Sequence, residues 1–176
     1  MNGSLTAEEL KKLLRLDPHP REGGWFRQTW RAQEPIPPDA LPSRYVAARD
    51  AGRAAGTAIY YLLEPNTFSE MHRLASDEVF HFYLGDPVEM LQLWPDGTGR
   101  RMVLGQDLAG DELPQTTVPY GIWQGSRLIP GGQVALMGCT VSPGFEYGDY
   151  ESGNRAELML GWPEWAEFIH YLTRSQ

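Results

Sequence analysis

Residues 66–85 read Asn66-Thr67-Phe68-Ser69-Glu70-Met71-His72-Arg73-Leu74-Ala75-Ser76-Asp77-Glu78-Val79-Phe80-His81-Phe82-Tyr83-Leu84-Gly85. Two short runs rich in apolar and aromatic residues, 68–74 and 78–84, flank a small polar turn, the pattern of two strands joined tightly. Asn66 tolerates a left-handed turn, and Gly85 sits where the next tight turn is wanted. Side chains alternate faces along a strand, so Glu78, Phe80 and Phe82 share one face. His72 closes the first run and Glu78 opens the second, which lets both face the interior of one barrel.

Outward from this stretch the same texture continues. Runs at 25–30, 57–63, 88–94, 100–104, 115–118, 122–129 and 133–141 are short and rich in β-branched and aromatic residues. Most are bounded by turn signals such as Gly85-Asp86-Pro87, Pro95-Asp96-Gly97, Pro130-Gly131-Gly132 and Ser142-Pro143-Gly144. Many short strands at this spacing predict an all-β sandwich, barrel or jelly roll. A helix is expected at each end. Thr6 and Glu9 make a capping box ahead of the stripe Leu10, Leu13, Leu14, with Pro18 as a stop. Trp165, Phe168, Ile169 and Leu172 follow Pro163 at helical spacing. No internal repeat or linker divides the chain, so residues 1–176 are expected to form a single domain.

Composition narrows the partners. Acidic residues number 23 against 15 Lys and Arg, a formal charge of -8, which argues against nucleic acid or an anionic membrane as partner. Hydrophobic residues at 41% suffice for a core. Cys139 is the single cysteine, which excludes an internal disulfide and a multi-thiolate zinc cage. The N-terminus shows no secretory pattern and no apolar run is long enough for a membrane helix, so a cytoplasmic protein is expected.

Asn66, His72, Leu74, Glu78 and Gly85 stand at the spacing of the first cupin motif (Gly, His, His, Glu, Gly), and three of the five residue types hold. Leu113, Pro119, Gly121, Gln124 and Leu128 stand at the spacing of the second (Gly, Pro, Gly, His, Asn), where the proline and first glycine that follows it hold. Around these motifs the chain resembles the cupin-five family. The likeness runs through Pro18-His19-Pro20-Arg21-Glu22-Gly23-Gly24-Trp25-Phe26-Arg27, Ile59-Tyr60-Tyr61-Leu62-Leu63, His81-Phe82-Tyr83 and Gly121-Ile122-Trp123-Gln124 to Val141-Ser142-Pro143-Gly144-Phe145. The resemblance implies a double-stranded β-helix, a cupin-like jelly-roll barrel with short terminal helices. It also implies a homodimer, an expectation strengthened by the exposed edge that a strand at 25–30 leaves.

Metal-dependent cupins use three histidines and a glutamate. At those positions this chain offers only His72, Glu78 and Gln124, because Leu74 carries no donor and a glutamine carbonyl is a weak ligand beside imidazole. His81 lies three residues past Glu78, on the opposite face unless a bulge intervenes. A metal-free pocket with no cofactor is therefore expected. His72, Glu78 and Gln124 either satisfy one another as a buried polar network or line a ligand pocket. In the second case His72 is the general base with Glu78 orienting it, and Gln124, Phe80, Phe82 and Ile122 contact the ligand. Arg27 is a candidate anion contact, with a plain surface arginine as its alternative. Tyr60, Tyr61, Tyr83 and Tyr120 are candidate acids. His19 and His170 read as surface residues, and Cys139 as a small packed hydrophobe.

Function stays open among three classes at this level. One is a metal-independent isomerase or epimerase acting on a small sugar-like or carboxylate ligand. Another is a non-catalytic binding module for the same kind of small molecule. The third, disfavoured by Leu74 and Gln124, is a metal-dependent oxygenase or isomerase.

Overall fold

Thr6 opens helix α1 (Ala7–Leu14): its hydroxyl accepts from the Glu9 N–H at 3.3 Å, and Glu9 Oε2 accepts from the Thr6 N–H at 2.8 Å. The computed structural model describes residues 5–45 and 52–174. The helix ends earlier than Pro18 requires, at Arg15, whose φ of 52° is left-handed. Past this turn Leu16 joins Leu10 against Leu62, Val134 and Leu136, whereas Leu13 is exposed rather than part of the stripe.

The strands form two facing sheets. One is six-stranded, with β1 (Asp17–Pro18), β2 (Trp25–Arg31), β5 (Thr57–Leu63), β12 (Ala135–Ser142), β7 (Asp77–Gly85) and β10 (Gln115–Val118) side by side in that order. The other is five-stranded, in the order β13 (Glu151–Ser152), β6 (Phe68–Arg73), β11 (Trp123–Leu128), β8 (Val88–Leu93), β9 (Gly99–Leu104). A short ribbon pairs β3 (Pro35–Ile36) with β4 (Arg53–Ala54). The pairings within both sheets are antiparallel. This is a jelly-roll architecture, mostly β with short helices at the termini. Beyond Phe26 the outer edge of β2 has no partner strand among the described residues, since β1 pairs only with Trp25 and Phe26.

Alternation explains the two layers of packing. Inward residues Tyr61, Phe80, Met90, Leu104 and Met137 fill the space between the sheets. Outward residues of the five-stranded sheet, Met71, Leu91 and Leu93, pack on Leu158, Ile169 and Leu172 of the C-terminal helical segment. Each such burial contributes about 1.5–3 kcal/mol. That segment holds α3 (Ala166–Tyr171), near the expected helix, and an unexpected one, α2 (Arg155–Gly161). Asn154 caps α2 by accepting from the Glu157 N–H at 3.1 Å, an Asn-x-x-Glu start signal present in the sequence. Among the described residues no helix is long and apolar enough to cross a membrane.

Because β6 lies in one sheet and β7 in the other, Leu74-Ala75-Ser76 carries the chain across the end of the sandwich. His72 and Glu78 therefore approach the same space from opposite walls.

Candidate functional site

His72 is buried on the inner face of β6 and stands opposite Gln124 of β11. A shift in the β6–β11 register beside this pair, between Gln124 and Ser126, puts Ser69 rather than Glu70 opposite Ser126. The His72 ring is fixed on two sides. Nδ1 lies 2.7 Å from the Glu70 carbonyl oxygen, and the ring stacks on Tyr150 at 4.9 Å. A carbonyl only accepts, so Nδ1 carries a proton, and in the neutral form of the ring the lone pair is on Nε2. The orienting groups are thus Glu70 and Tyr150, not Glu78 as the sequence suggested.

Glu78 is the first inward residue of β7, opposite Val141 of β12 and Val118 of β10. Gln124 Nε2 donates to Glu78 Oε2 at 2.6 Å. Burial and then the charge of Glu22 push the Glu78 carboxyl up from 4.5 to about 7, against the opposing pull of His72, Gln124 and Cys139. Burial, with Glu78 next, also pushes the Cys139 thiol well up, so it stays a neutral, packed side chain.

His72 and Glu78 line one cavity of about 80 Å³, together with Leu74, Cys139 and Val141. Phe26, Gln28, Thr57 and Ile59 form the wall from β2 and β5. Loops complete it with His19, Glu22, Phe145 and Tyr147. Pockets for drug-sized ligands run to ~300–1,000 Å³, so this space holds only a few non-hydrogen atoms.

The loop 19–24 was not expected here, and His19 is not the surface residue that its loop position suggested. Its side chain is 5% exposed and its ring meets Phe26 edge-on at 4.6 Å. The loop is tied down by its backbone. The His19 N–H donates to Gly24 O at 2.9 Å, the Glu70 N–H to Glu22 O at 3.0 Å, and the Tyr61 hydroxyl to Gly23 O at 2.9 Å. Gly23 and Gly24 have φ of 103° and 68°, conformations that side chains strain to adopt. The Ser69 hydroxyl donates to Glu22 Oε1. Burial holds His19 below its ordinary 6.5, against the pull of Glu22.

The second loop is anchored by Arg53. Buried at 2% exposure, it pairs with Asp149 and donates to Gly144 O. The Phe145 N–H donates to Thr57 Oγ1 at 2.9 Å.

Other expected contacts lie elsewhere. Phe80, Phe82 and Ile122 face inward but belong to the apolar core and do not line the cavity. Parity fixes the face of a strand residue and not its depth. Arg27 falls between the lining residues Phe26 and Gln28, so it projects outward, where it packs over Tyr60 at 5.5 Å. Tyr60 and Tyr83 contact each other edge-on at 6.3 Å, Tyr120 is half exposed, and Tyr61 is engaged with Gly23. None of the four tyrosines lines the cavity; Tyr147 does. His81 faces out as well, with Nδ1 3.0 Å from Gln115 Nε2 and Nε2 3.3 Å from Thr140 Oγ1. The bulge of the β7–β12 pair falls beyond it, between Leu136 and Met137, and does not turn it inward.

The metal that the fold implies can be tested against this donor set. Leu74 occupies the cavity wall without a donor atom, and Gln124 turns its amide nitrogen, not its oxygen, to Glu78. Among the described residues no group of three or more His, Cys, Asp or Glu is arranged to hold an ion. The four motif positions do not fit a three-imidazole, one-carboxylate centre.

Two facing antiparallel sheets with a small, mostly apolar pocket at one end, into which His and Glu side chains are set, define a jelly-roll barrel protein. The chain belongs to the family described as Cupin superfamily (DUF985), which matches residues 8–153. It is 27% identical over 139 residues to the uncharacterized protein YML079W of Saccharomyces cerevisiae, covering 74% of this chain and 67% of that one. The solved structure of protein SO0799 from Shewanella oneidensis is similar with a TM-score of 0.84 and 31% identity, over 98% of this chain and 100% of that one. A hypothetical protein from Leishmania major is similar with a TM-score of 0.83 and 32% identity, over 97% and 100%.

Proposed function

We propose that this cupin-fold protein binds a small neutral polar molecule at the barrel end and moves a proton on it, as a metal-independent isomerase or epimerase. The observation that carries the reading is the convergence of His72 and Glu78, from opposite sheets, on one small cavity. Proton transfer at neutral pH needs a base with a free lone pair and an acid that is still protonated. His72 Nε2 supplies the first, since Nδ1 is committed to the Glu70 carbonyl. Glu78, raised to about 7, supplies the second.

Charge selects between the ligands that the sequence left open. Glu22 and Glu78 line the cavity, and no lysine or arginine does so among the described residues. A carboxylate ligand finds no counter-charge there, and a hydroxyl or carbonyl compound does not need one. A second reading, binding without catalysis, is favoured by the Gln124 amide, which already occupies Glu78 Oε2.

Solvent deuterium incorporation into small carbonyl compounds, followed by proton NMR, separates the readings. The wild type is expected to exchange carbon-bound protons next to the carbonyl, and His72→Ala to lose this. Saturable binding of a neutral carbonyl compound with no exchange at any pH from 5 to 9 would replace the enzyme with the binding module.

A further inference from the structure

The proton-transfer reading uses His72 and Glu78 and gives no part to His19 and Glu22, two neighbouring loop side chains that line the same cavity. We infer that His19 and Glu22 select an α-hydroxycarbonyl substrate, with His19 Nε2 donating to its carbonyl oxygen and Glu22 Oε2 accepting from its hydroxyl. This inference rests on the proton-transfer reading and names its substrate class.

The polarity of His19 follows from its backbone contacts. Its Nδ1 receives the N–H of Glu22 at 2.8 Å. A backbone N–H only donates, so Nδ1 is unprotonated and the ring proton of the neutral imidazole sits on Nε2. Burial keeps the ring in that neutral form. A neutral imidazole of this kind polarises a carbonyl oxygen while another group takes the proton. His19 and His72 therefore line one cavity with opposite polarity, a donor nitrogen and a lone-pair nitrogen.

Glu22 is the neighbour that makes the pattern specific. Its Oε1 accepts from Ser69, and its Oε2 stands 3.9 Å from His19 Nε2. That distance exceeds the roughly 2.7–3.2 Å of an N–H···O hydrogen bond, so donor and acceptor stand side by side without satisfying each other. A fragment O=C–C–O–H offers an acceptor and a donor at adjacent carbons, the complementary pair. A plain ketone leaves Glu22 unmatched, and a carboxylate meets a like charge. The Phe26 contact and the two left-handed glycines hold the pair in place before a ligand arrives.

The chemistry closes without an oxidant. His72 Nε2 takes the proton from the hydroxyl-bearing carbon, and the C–H electron pair becomes the C=C bond of an enediol. The carbonyl π pair moves to its oxygen, which takes the Glu78 proton. Glu78 then recovers a proton from the other enediol oxygen, and His72 returns its own to the former carbonyl carbon. The product is the isomeric α-hydroxycarbonyl, and both side chains are restored.

The test uses dihydroxyacetone and glyceraldehyde against acetone and propanal, with deuterium incorporation read by NMR. Two variants separate substrate contact from loop structure. His19→Asn places an amide oxygen where Nδ1 was, keeping the acceptor for the Glu22 N–H, but reaches no further. His19→Gln reaches the place of Nε2 with an N–H donor and loses the loop acceptor. The wild type is expected to exchange the hydroxylated compounds in preference to the plain ones. His19→Asn should lose on the order of 100-fold in rate, and His19→Gln should keep most of it, with melting temperatures confirming that both fold. Any other ordering of the two variants overturns the role of His19. Equal exchange of plain and hydroxylated compounds overturns the substrate class and leaves the proton-transfer reading standing. Absence of exchange on both sets overturns both.

Discussion

Gln124 donates to Glu78 at 2.6 Å from the strand opposite His72, so one amide ties the acid of the cavity to the wall that carries its base. The bond favours the ionised carboxylate, yet Glu78 still sits near 7 because burial and the charge of Glu22 outweigh it. Gln124 Oε1 is buried with no hydrogen-bond partner. The pair is therefore poised between two states. A carboxylate accepts from Nε2, and a carboxylic acid can donate to Oε1 once the amide turns over.

This gives a signed prediction for stability. Glu78 binds its proton more tightly folded than unfolded, so its contribution is full below about 4.5 and is lost as pH rises through about 7. The loss amounts to about 3 kcal/mol at most. His19 acts in the opposite direction, since its lowered pKa removes stability as pH falls below 6.5. Comparing wild type with Glu78→Gln isolates the first effect, because His19 is common to both. The variant should melt higher than wild type at pH 8 and lose that advantage by pH 5. A constant difference across that range would mean that Glu78 titrates normally.

Activity should move with the same group. If Glu78 gives its proton to the substrate oxygen, the exchange rate falls as pH rises through about 7. The midpoint belongs to Glu78 together with its charged neighbours, so Glu22→Gln should lower it by removing the second cause of the shift. An alkaline limb unchanged in Glu22→Gln would assign the titration to another residue.

The strand skeleton was legible because local signals specify it. Pro95-Asp96-Gly97 and Pro130-Gly131-Gly132 mark turns whatever surrounds them, and β5 and β10 run over the residues that their composition indicates. His72 and Glu78 were legible because six residues of sequence decide their approach. Arg27 was not, since β2 is an edge strand whose half-exposed residues show no clean alternation. His19, Glu22 and Tyr147 lie in loops without a period, and their placement depends on left-handed Gly23 and Gly24 and on a buried ion pair far along the chain. The N-cap of α2 was present as Asn154 and Glu157 but overshadowed by Pro163, nine residues past Asn154.

That ion pair carries a further prediction. Arg53 joins Asp149 and the Gly144 carbonyl, and its guanidinium covers Tyr45 at 4.8 Å. Replacing Arg53 by Met leaves the Asp149 carboxylate buried and unpaired, a loss of about 3–5 kcal/mol. Because Phe145 and Tyr147 are on the anchored loop and line the cavity, binding should weaken too. Urea titration measures the first effect; a loss below ~1 kcal/mol would mean that water reaches Asp149 and replaces the arginine.

The last prediction concerns metal and follows from the same donors. Protein purified without chelator or metal-affinity resin should carry well under one equivalent of iron, manganese, nickel or zinc. Leu74 supplies no lone pair, Gln124 has its nitrogen toward the carboxylate, and Glu78, raised to about 7, holds its proton more tightly than a free carboxyl. A metal has to displace that proton as well as find ligands. Leu74 lines the same cavity as His72 and Glu78, and Gln124 already bonds to Glu78, so Leu74→His combined with Gln124→His brings three imidazoles and a carboxylate, from both sheets, around one space. The double variant should take up a divalent ion on dialysis, read by elemental analysis and by a rise in melting temperature, and should release it with chelator. Stoichiometric metal in the wild type, lost in His72→Ala, would show instead that His72 and Glu78 recruit ligands from outside the motif, and would replace proton transfer by metal chemistry as the reading of this cavity.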